Sequence, residues 1–408
     1  MVTAGLLLLA APPAYALQLL SSDNASLEAG GDVKTFMVGI VPYQHALLPT
    51  DPSARGLFDV RLKVDGAVGD WLRVTLHPNV FASFGGGAGG QGPGAVARLG
   101  TLPEAVSLSR QLVNANGLTV NARIDRAAVT LRLPHLDVTA GRQSMSFGST
   151  FFFTPLDVVA PFSPLVVDRE YKPGIDAVRA DLFTGTSNKL TLVAAYAGGW
   201  NLDGIILAAH LRTTVREVDL GVFVAEVNRN FVLGFDAAGD VLGFGLRAEG
   251  TVTVPPDGRT PYVRAAAGMD RRMESGLHLS GEVYYQSVGA ARPDRYLDVA
   301  ALPEFQRGQL WSLGRYYAAA AATYELLPIL TVGTSCVANL GDRSALLGPN
   351  LAWSLGDESV LVAGGYLTLG DRPDATLSPD PDPARPIKLR SEFGTSPASL
   401  YLQFKAYF

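Results

Sequence analysis

The sequence predicts an all-β fold: a single transmembrane antiparallel β-barrel of about 18 strands, with 16 as the alternative, and long loops at one end. Three observations point there. The chain ends on Ser399-Leu-Tyr-Leu-Gln-Phe-Lys-Ala-Tyr-Phe408, where Leu400, Leu402, Phe404, Ala406 and Phe408 share one face of an extended strand and Ser399, Tyr401, Gln403, Lys405 and Tyr407 share the other. Hydrophobic residues make up 48% of the 408 residues and charged ones only 17%, yet no run after the N-terminus reaches the ~20 apolar residues of a spanning helix. In a membrane barrel each lipid-facing side chain alternates with one facing the lumen, which gives apolar content without apolar runs. Short alternating segments then recur along nearly the whole chain. A soluble sheet ending on an edge strand is the competing interpretation of the last segment.

Residues 1–16 form the expected leader. Gly5–Ala11 is a short apolar core and Ala14-Tyr-Ala16 a small-x-small cleavage pattern, although no Lys or Arg precedes the core. The barrel is expected over 17–408. Strands are predicted at 27–41, 57–65 and 71–81. On the second, Phe58, Val60, Leu62 and Val64 oppose Asp59, Arg61, Lys63 and Asp65; on the third, Leu72, Val74 and Leu76 oppose Trp71, Arg73, Thr75 and His77. A lipid-facing Arg at mid-depth costs about 2–4 kcal/mol, so the charged faces must look into a wet lumen. Gly85–Gly94 holds no strand pattern and no phosphate-loop Lys-Ser/Thr, so 84–116 reads as a long external loop with a more ordered second half. Strands follow at 120–133 and 136–145, with Val129, Leu131 and Leu133 opposing Arg126, Thr130 and Arg132.

A second excursion, 147–173, carries Phe147, Phe151, Phe152, Phe153 and Phe162 with Asp157, Asp168, Arg169, Glu170 and Lys172. From Ile175 the predicted strands are 175–184, 188–198, 204–213, 216–228, 230–236, 240–254, 261–271, 276–288, 310–326, 328–340, 344–356, 358–370 and 397–408. The segment 230–236, with a turn at Asp236–Asp240, is needed to give an even count with short turns at one end. Links 290–308 and 371–397, rich in Pro, Asp and Arg, are taken as external loops.

Two stretches resemble a known family. The terminal strand closing on Phe408 resembles the C-terminal signal of bacterial outer-membrane barrels, which the barrel-assembly machinery reads. Gly141-Arg-Gln143, Phe147-Gly148, Pro155-Leu-Asp157, Pro161-Phe-Ser-Pro164, Asp168-Arg-Glu-Tyr-Lys-Pro-Gly174 and Asp176-Ala-Val-Arg179 together resemble a segment of porin-like outer-membrane proteins of Gram-negative bacteria. The resemblance covers roughly 118–180 well and the rest by strand pattern only. It implies an outer-membrane location, contact with outer-membrane lipid, and a substrate-selective channel, without naming the solute.

No HExxH, GxSxG, Walker A, GxGxxG or Cys/His metal cluster is present, and no cofactor is expected. The single Cys336 excludes a disulfide framework and a CxxCH haem site. His45, His77, His135, His210 and His278 lack metal-ligand spacing, and the Asp-rich 371–382 lacks EF-hand spacing. A net charge of −5 does not favour nucleic acid. The residues expected to line a pore are Arg61, Lys63, Arg73, Arg126, Arg132, Arg179, Asp181, Arg247, Glu249, Arg264, His278 and Glu282, with Asp59 and Lys405 beside them. They serve either ion selectivity or bracing of the wall by Arg/Asp pairs. The excursion, through Phe151, Phe152, Phe153, Asp157, Phe162, Asp168, Arg169 and Glu170, either folds into the barrel mouth as a constriction or packs on the rim. The expected function is diffusion of small polar solutes, anions among them, without enzymatic chemistry. The alternatives are a scaffold or sheath for a secretion, polymer-export or electron-transfer partner, and a barrel hydrolase whose catalytic groups come from separate strands.

Overall fold

The computed structural model describes residues 17–22, 24–44, 51–85, 103–115, 117–159, 172–185, 187–374 and 388–408. The leader predicted at 1–16 lies outside them. The described strands form one antiparallel sheet closed on itself, with Ala25–Val41 pairing with Ala398–Tyr407 from Asp32↔Tyr407 to Val41↔Ala398. Among the described residues, Ser344–Leu347 and Asn350–Gly356 are two halves of one strand, since both lie between Leu330–Asn339 and Ser359–Leu369. Leu17–Ser22 and Ser109–Ala115 each pair with a single neighbour and stand outside the circuit. Eighteen strands complete the wall, and the 16-strand alternative falls because every predicted hairpin pairs on both sides.

Parity decides which way each side chain points. On the terminal strand Ser399, Tyr401, Gln403 and Lys405 are buried inside while Leu400 and Leu402 are exposed outside. The same division runs round the barrel: Val74, Leu131, Val222, Leu233, Val283 and Leu402 form an outer apolar face. Tyr324, Trp353 and Phe408 lie on that face near the short-turn end, and Phe84, Phe231 and Tyr316 lie toward the other; Trp71, set by alternation with Arg73, is an exposed turn residue. Aromatic girdles flanking an apolar band are the physical mark of a barrel made for a bilayer. Among the described residues no helix is long and apolar enough to cross a membrane.

Three expectations need correction. The turn predicted at Asp236–Asp240 is continuous strand, Asn230–Val241, and the chain reverses at Leu242-Gly243. Both turn residues have positive φ, 54° and 78°, as a two-residue hairpin matched to strand twist requires. Asp236 stays in the strand because its carboxylate accepts from His210 Nε2 at 2.7 Å and Arg212 Nη2 at 2.8 Å inside the barrel. Leu242 therefore sits on the turn tip, 92% exposed, rather than on the lipid face with Phe244 and Leu246. The strand predicted from 310 begins at Tyr316, since Leu310–Leu313 turns into the barrel mouth. The loop predicted at 290–308 contains short helices, Tyr296–Ala300 and Pro303–Gln306, fastened by bidentate Arg259–Glu304 contacts at 2.8 and 3.0 Å.

Gly31 marks the seam. Its N–H donates to the Phe408 carbonyl at 2.7 Å, and a Cβ there would fall 2.4 Å from the Arg61 carbonyl and 2.5 Å from Phe408 Cζ. Gly31→Val should strain the junction of first and last strands by about 1–3 kcal/mol. The expected result is a lower fraction of heat-modifiable folded protein on a semi-native gel, with unchanged migration after boiling.

Candidate functional site

The first described part of the second excursion, 147–159, folds inward. Phe147, Phe151, Phe152, Phe153, Leu156, Val158 and Val159 are buried against inward side chains of the wall. Phe147 meets Phe223 at 5.1 Å between ring centroids and His210 at 5.7 Å. Phe153 stacks on Tyr284 at 4.5 Å and 4°, and the Arg247 guanidinium covers Phe151 at 4.1 Å. Burying a Phe contributes roughly 1.5–3 kcal/mol, so four of them favour the inward position strongly.

The loop's backbone has no sheet partner, and its N–H groups need acceptors. Two wall carboxylates supply them. Glu249 Oε1 accepts from the Ser149 and Thr150 amides and from Thr150 Oγ1 at 2.9 Å, while Oε2 accepts from Leu156 N at 3.2 Å. Glu282 Oε2 accepts from Phe151 N at 2.7 Å and Phe152 N at 3.1 Å, and Oε1 from Phe153 N at 2.7 Å. Both residues face inward as parity predicts, but their carboxylates are enclosed by the loop. Further ties secure its flanks: Lys172 Nζ pairs with Asp157, Arg126 Nη2 donates to the Lys172 carbonyl, and Arg264 Nη2 donates to the Pro155 carbonyl at 2.7 Å. Phe162, Asp168, Arg169 and Glu170 lie outside the described residues.

The other predicted positions form braced pairs. Arg61 is buried among Asp32 at 3.6 Å, Asp59 at 3.5 Å and Asp125 at 3.9 Å. Lys63 reaches Asp32 at 2.8 Å, Arg126 lies 3.6 Å from Asp125, and Arg179 lies 2.7 Å from Asp181. Asp270 takes Arg247 at 3.8 Å and His278 at 3.1 Å. Arg132 and Asp137 stand 3.7 Å apart toward the short-turn end, where Arg73 is also exposed. The structure brings Arg61, Lys63 and Arg126 into one network and leaves Arg73, Arg132, Arg179 and His278 elsewhere on the wall.

Several inward residues escaped the sequence reading. Asp32, Lys34 and Asp236 have the inward parity but sit in strands whose charge density is low, whereas Arg123 and Asp125 share the odd parity of outward Val129 and Leu131 and turn inward because a bulge opposite His77 and Pro78 shifts the alternation. Lys34 and Lys405 occupy directly opposed positions across the seam. Arg142 forms a bidentate contact with Asp176, at 2.8 and 2.9 Å, and reaches the Val106 carbonyl at 2.9 Å, so it anchors the end of the first long loop. The Gly141-Arg-Gln143 motif was the available signal. Among the described residues no group of three His, Cys, Asp or Glu side chains is arranged for a metal ion.

The fold and site together define a closed barrel with a loop tethered inside it. No family model and no curated protein matches the chain in sequence. Solved structures match it in shape. OccK7 (OpdD) of Pseudomonas aeruginosa has a TM-score of 0.56 at 10% identity, covering 95% of this chain and 99% of that one. OccAB1 of Acinetobacter baumannii has 0.55 at 10% identity over 97% and 99%, and OccAB2 of the same organism 0.54 at 10% over 95% and 98%. At this identity the likeness is one of fold.

Glu282→Gln replaces one acceptor oxygen with an NH2 that faces an amide N–H, and removes the charge. Bonds to a charged group contribute about 1.5–3 kcal/mol each, so chymotryptic cleavage at Phe151–Phe153 should accelerate about tenfold or more. An unchanged cleavage rate would show that the carboxylate does not hold the loop.

Outside the spanning strands, Glu392 accepts from Asn339 Nδ2 at 2.7 Å, Leu313 N at 2.9 Å and the Tyr317 hydroxyl, with Asp342 close by. Burial pushes its carboxyl up to about 7, against the lowering effect of those hydrogen bonds. The folded state therefore keeps a proton that the unfolded chain releases at ordinary Glu values. That contribution to stability is complete below the unfolded pKa and is lost as pH rises through about 7. Thermal midpoints should fall from pH 5 to pH 8, and Glu392→Gln should flatten that slope.

Proposed function

We propose that the protein is an outer-membrane channel for small polar solutes with a preference for anions, narrowed by the loop that Glu249 and Glu282 hold inside it. The single observation that carries this is the inward tether: seven donors from residues 149–156 meet two wall carboxylates. An eighteen-stranded cylinder is wide enough for an aqueous passage, and an internal loop reduces it to the scale of a small molecule. The apolar exterior and aromatic girdles support insertion in a bilayer, and the fold likeness supports an outer-membrane setting. Residues 1–16 serve export, and the strand ending on Phe408 is the contact for the assembly machinery.

The wall facing away from the loop supports the anion preference. Among the described residues, Lys34, Arg61, Lys63, Arg123 and Lys405 point inward there, against Asp32, Asp59 and Asp125, and Arg126 beside them reaches the loop's flank through the Lys172 carbonyl. A net positive wall lowers the electrostatic barrier for anions and raises it for cations. Transport needs no covalent step: the solute exchanges bulk water for pore water and side-chain contacts.

Planar-bilayer recording tests this. Steady ohmic openings with an anion-selective reversal potential in a salt gradient are expected, and Lys63→Glu should reduce the selectivity. Replacing 150–158 with a short Gly-Ser link should raise single-channel conductance about twofold or more, on the scale by which an internal loop narrows a lumen. Silent barrels that co-purify with another protein would instead support the sheath reading.

A further inference from the structure

A small cavity lies between the inward loop and the segment 309–312 that follows the capping helices. Its volume is about 30 Å3, and its lining includes Phe152, Phe153, Tyr284, Leu310, Trp311 and Arg264. A polar cavity holds a water once it offers roughly 10–15 Å3, so this one admits more than a single water.

Among the described residues, two buried N–H donors of its lining residues find no acceptor: Arg264 Nε and Trp311 Nε1. Arg264 is 6% exposed. Its Nη1 donates to the Gln309 carbonyl at 3.1 Å and its Nη2 to the Pro155 carbonyl at 2.7 Å, both neutral acceptors. Among the described residues no carboxylate ion-pairs with it. Asp157 is near enough to feel its charge, but its Oδ2 is held by Lys172 and it makes no ion pair with Arg264. The guanidinium cannot shed its proton, so a full positive charge is buried with dipoles around it and no counter-ion in contact.

We propose that this cavity binds one small monovalent anion of the chloride class, held by Arg264 Nε–H and Trp311 Nε1–H. The anion neutralises Arg264 where the loop, through Pro155, meets the 309–312 segment, and so locks the two together. A neutral water satisfies the hydrogen bonds but leaves the charge uncompensated, which is why the anion is the better occupant. The site is built on the same inward loop, and its occupancy is read without reference to conduction.

Bromide is the probe. Crystals of the full chain grown with bromide in place of chloride should show an anomalous peak in this cavity, within hydrogen-bond reach of both donors. Water-level density without anomalous signal there overturns the proposal. In detergent, the thermal midpoint should rise saturably when gluconate is exchanged for chloride at constant ionic strength. Trp311→Phe, which keeps the aromatic packing and removes one donor, should lose most of that shift. An equal shift in wild type and variant overturns the assignment, and conductance plays no part in either readout.

Discussion

The structure depends on a capture of backbone by carboxylate. A loop entering a barrel carries its amide N–H groups out of water and away from any strand edge, and each unpaired buried amide costs about 1–3 kcal/mol. Glu249 and Glu282 meet that need with four oxygen atoms on two strands separated by one neighbour. The arrangement also answers the opposite problem, because a buried carboxylate is tolerable only when several donors surround it. Neither half is stable alone, so loop and wall fix each other.

This coupling sets the loop's phenylalanines against an apolar patch of the inner wall that includes Val193, Ile206, Phe223 and Val232. With the backbone held, Phe147 reaches the aromatic pocket at Phe223, and Phe153 lies flat on Tyr284. The lumen is thereby divided. The strands from Ile175 to Leu347 supply a floor on which the loop packs, and the strands on either side of the seam supply the charged wall. Gly221 shows how closely the floor is fitted: a Cβ there would lie 2.0 Å from Asp236 Oδ1 and 2.6 Å from His210 Nε2. Only a glycine leaves room for that buried acid–imidazole pair.

Much of the barrel was legible in the sequence because a two-residue period carries both strand and facing. The inward row Ser399, Tyr401, Gln403, Lys405 and the outward row Leu400, Leu402 follow from alternation alone. The turn at Leu242-Gly243 was not legible, since Asp-Ala-Ala-Gly-Asp has stronger turn chemistry, and it stays extended through pairing with both neighbouring strands and the contact of Asp236 with His210 and Arg212. The parity of Glu249 and Glu282 was readable, but their partners were not. The donors are peptide groups about 100 to 130 residues away in sequence, and backbone amides leave no trace in residue identity. The same holds for Arg264, whose partners are carbonyl oxygens.

The most direct measurement is the amide proton spectrum of the loop, recorded on the full chain in lipid nanodiscs with selectively 15N-labelled phenylalanine. A carboxylate acceptor draws amide protons downfield and slows their exchange with water. Phe151 and Phe153 should give downfield, slowly exchanging signals that shift in Glu282→Gln and stay put in Glu28→Gln. Signals at unstructured positions that exchange freely in the wild-type protein would contradict the account.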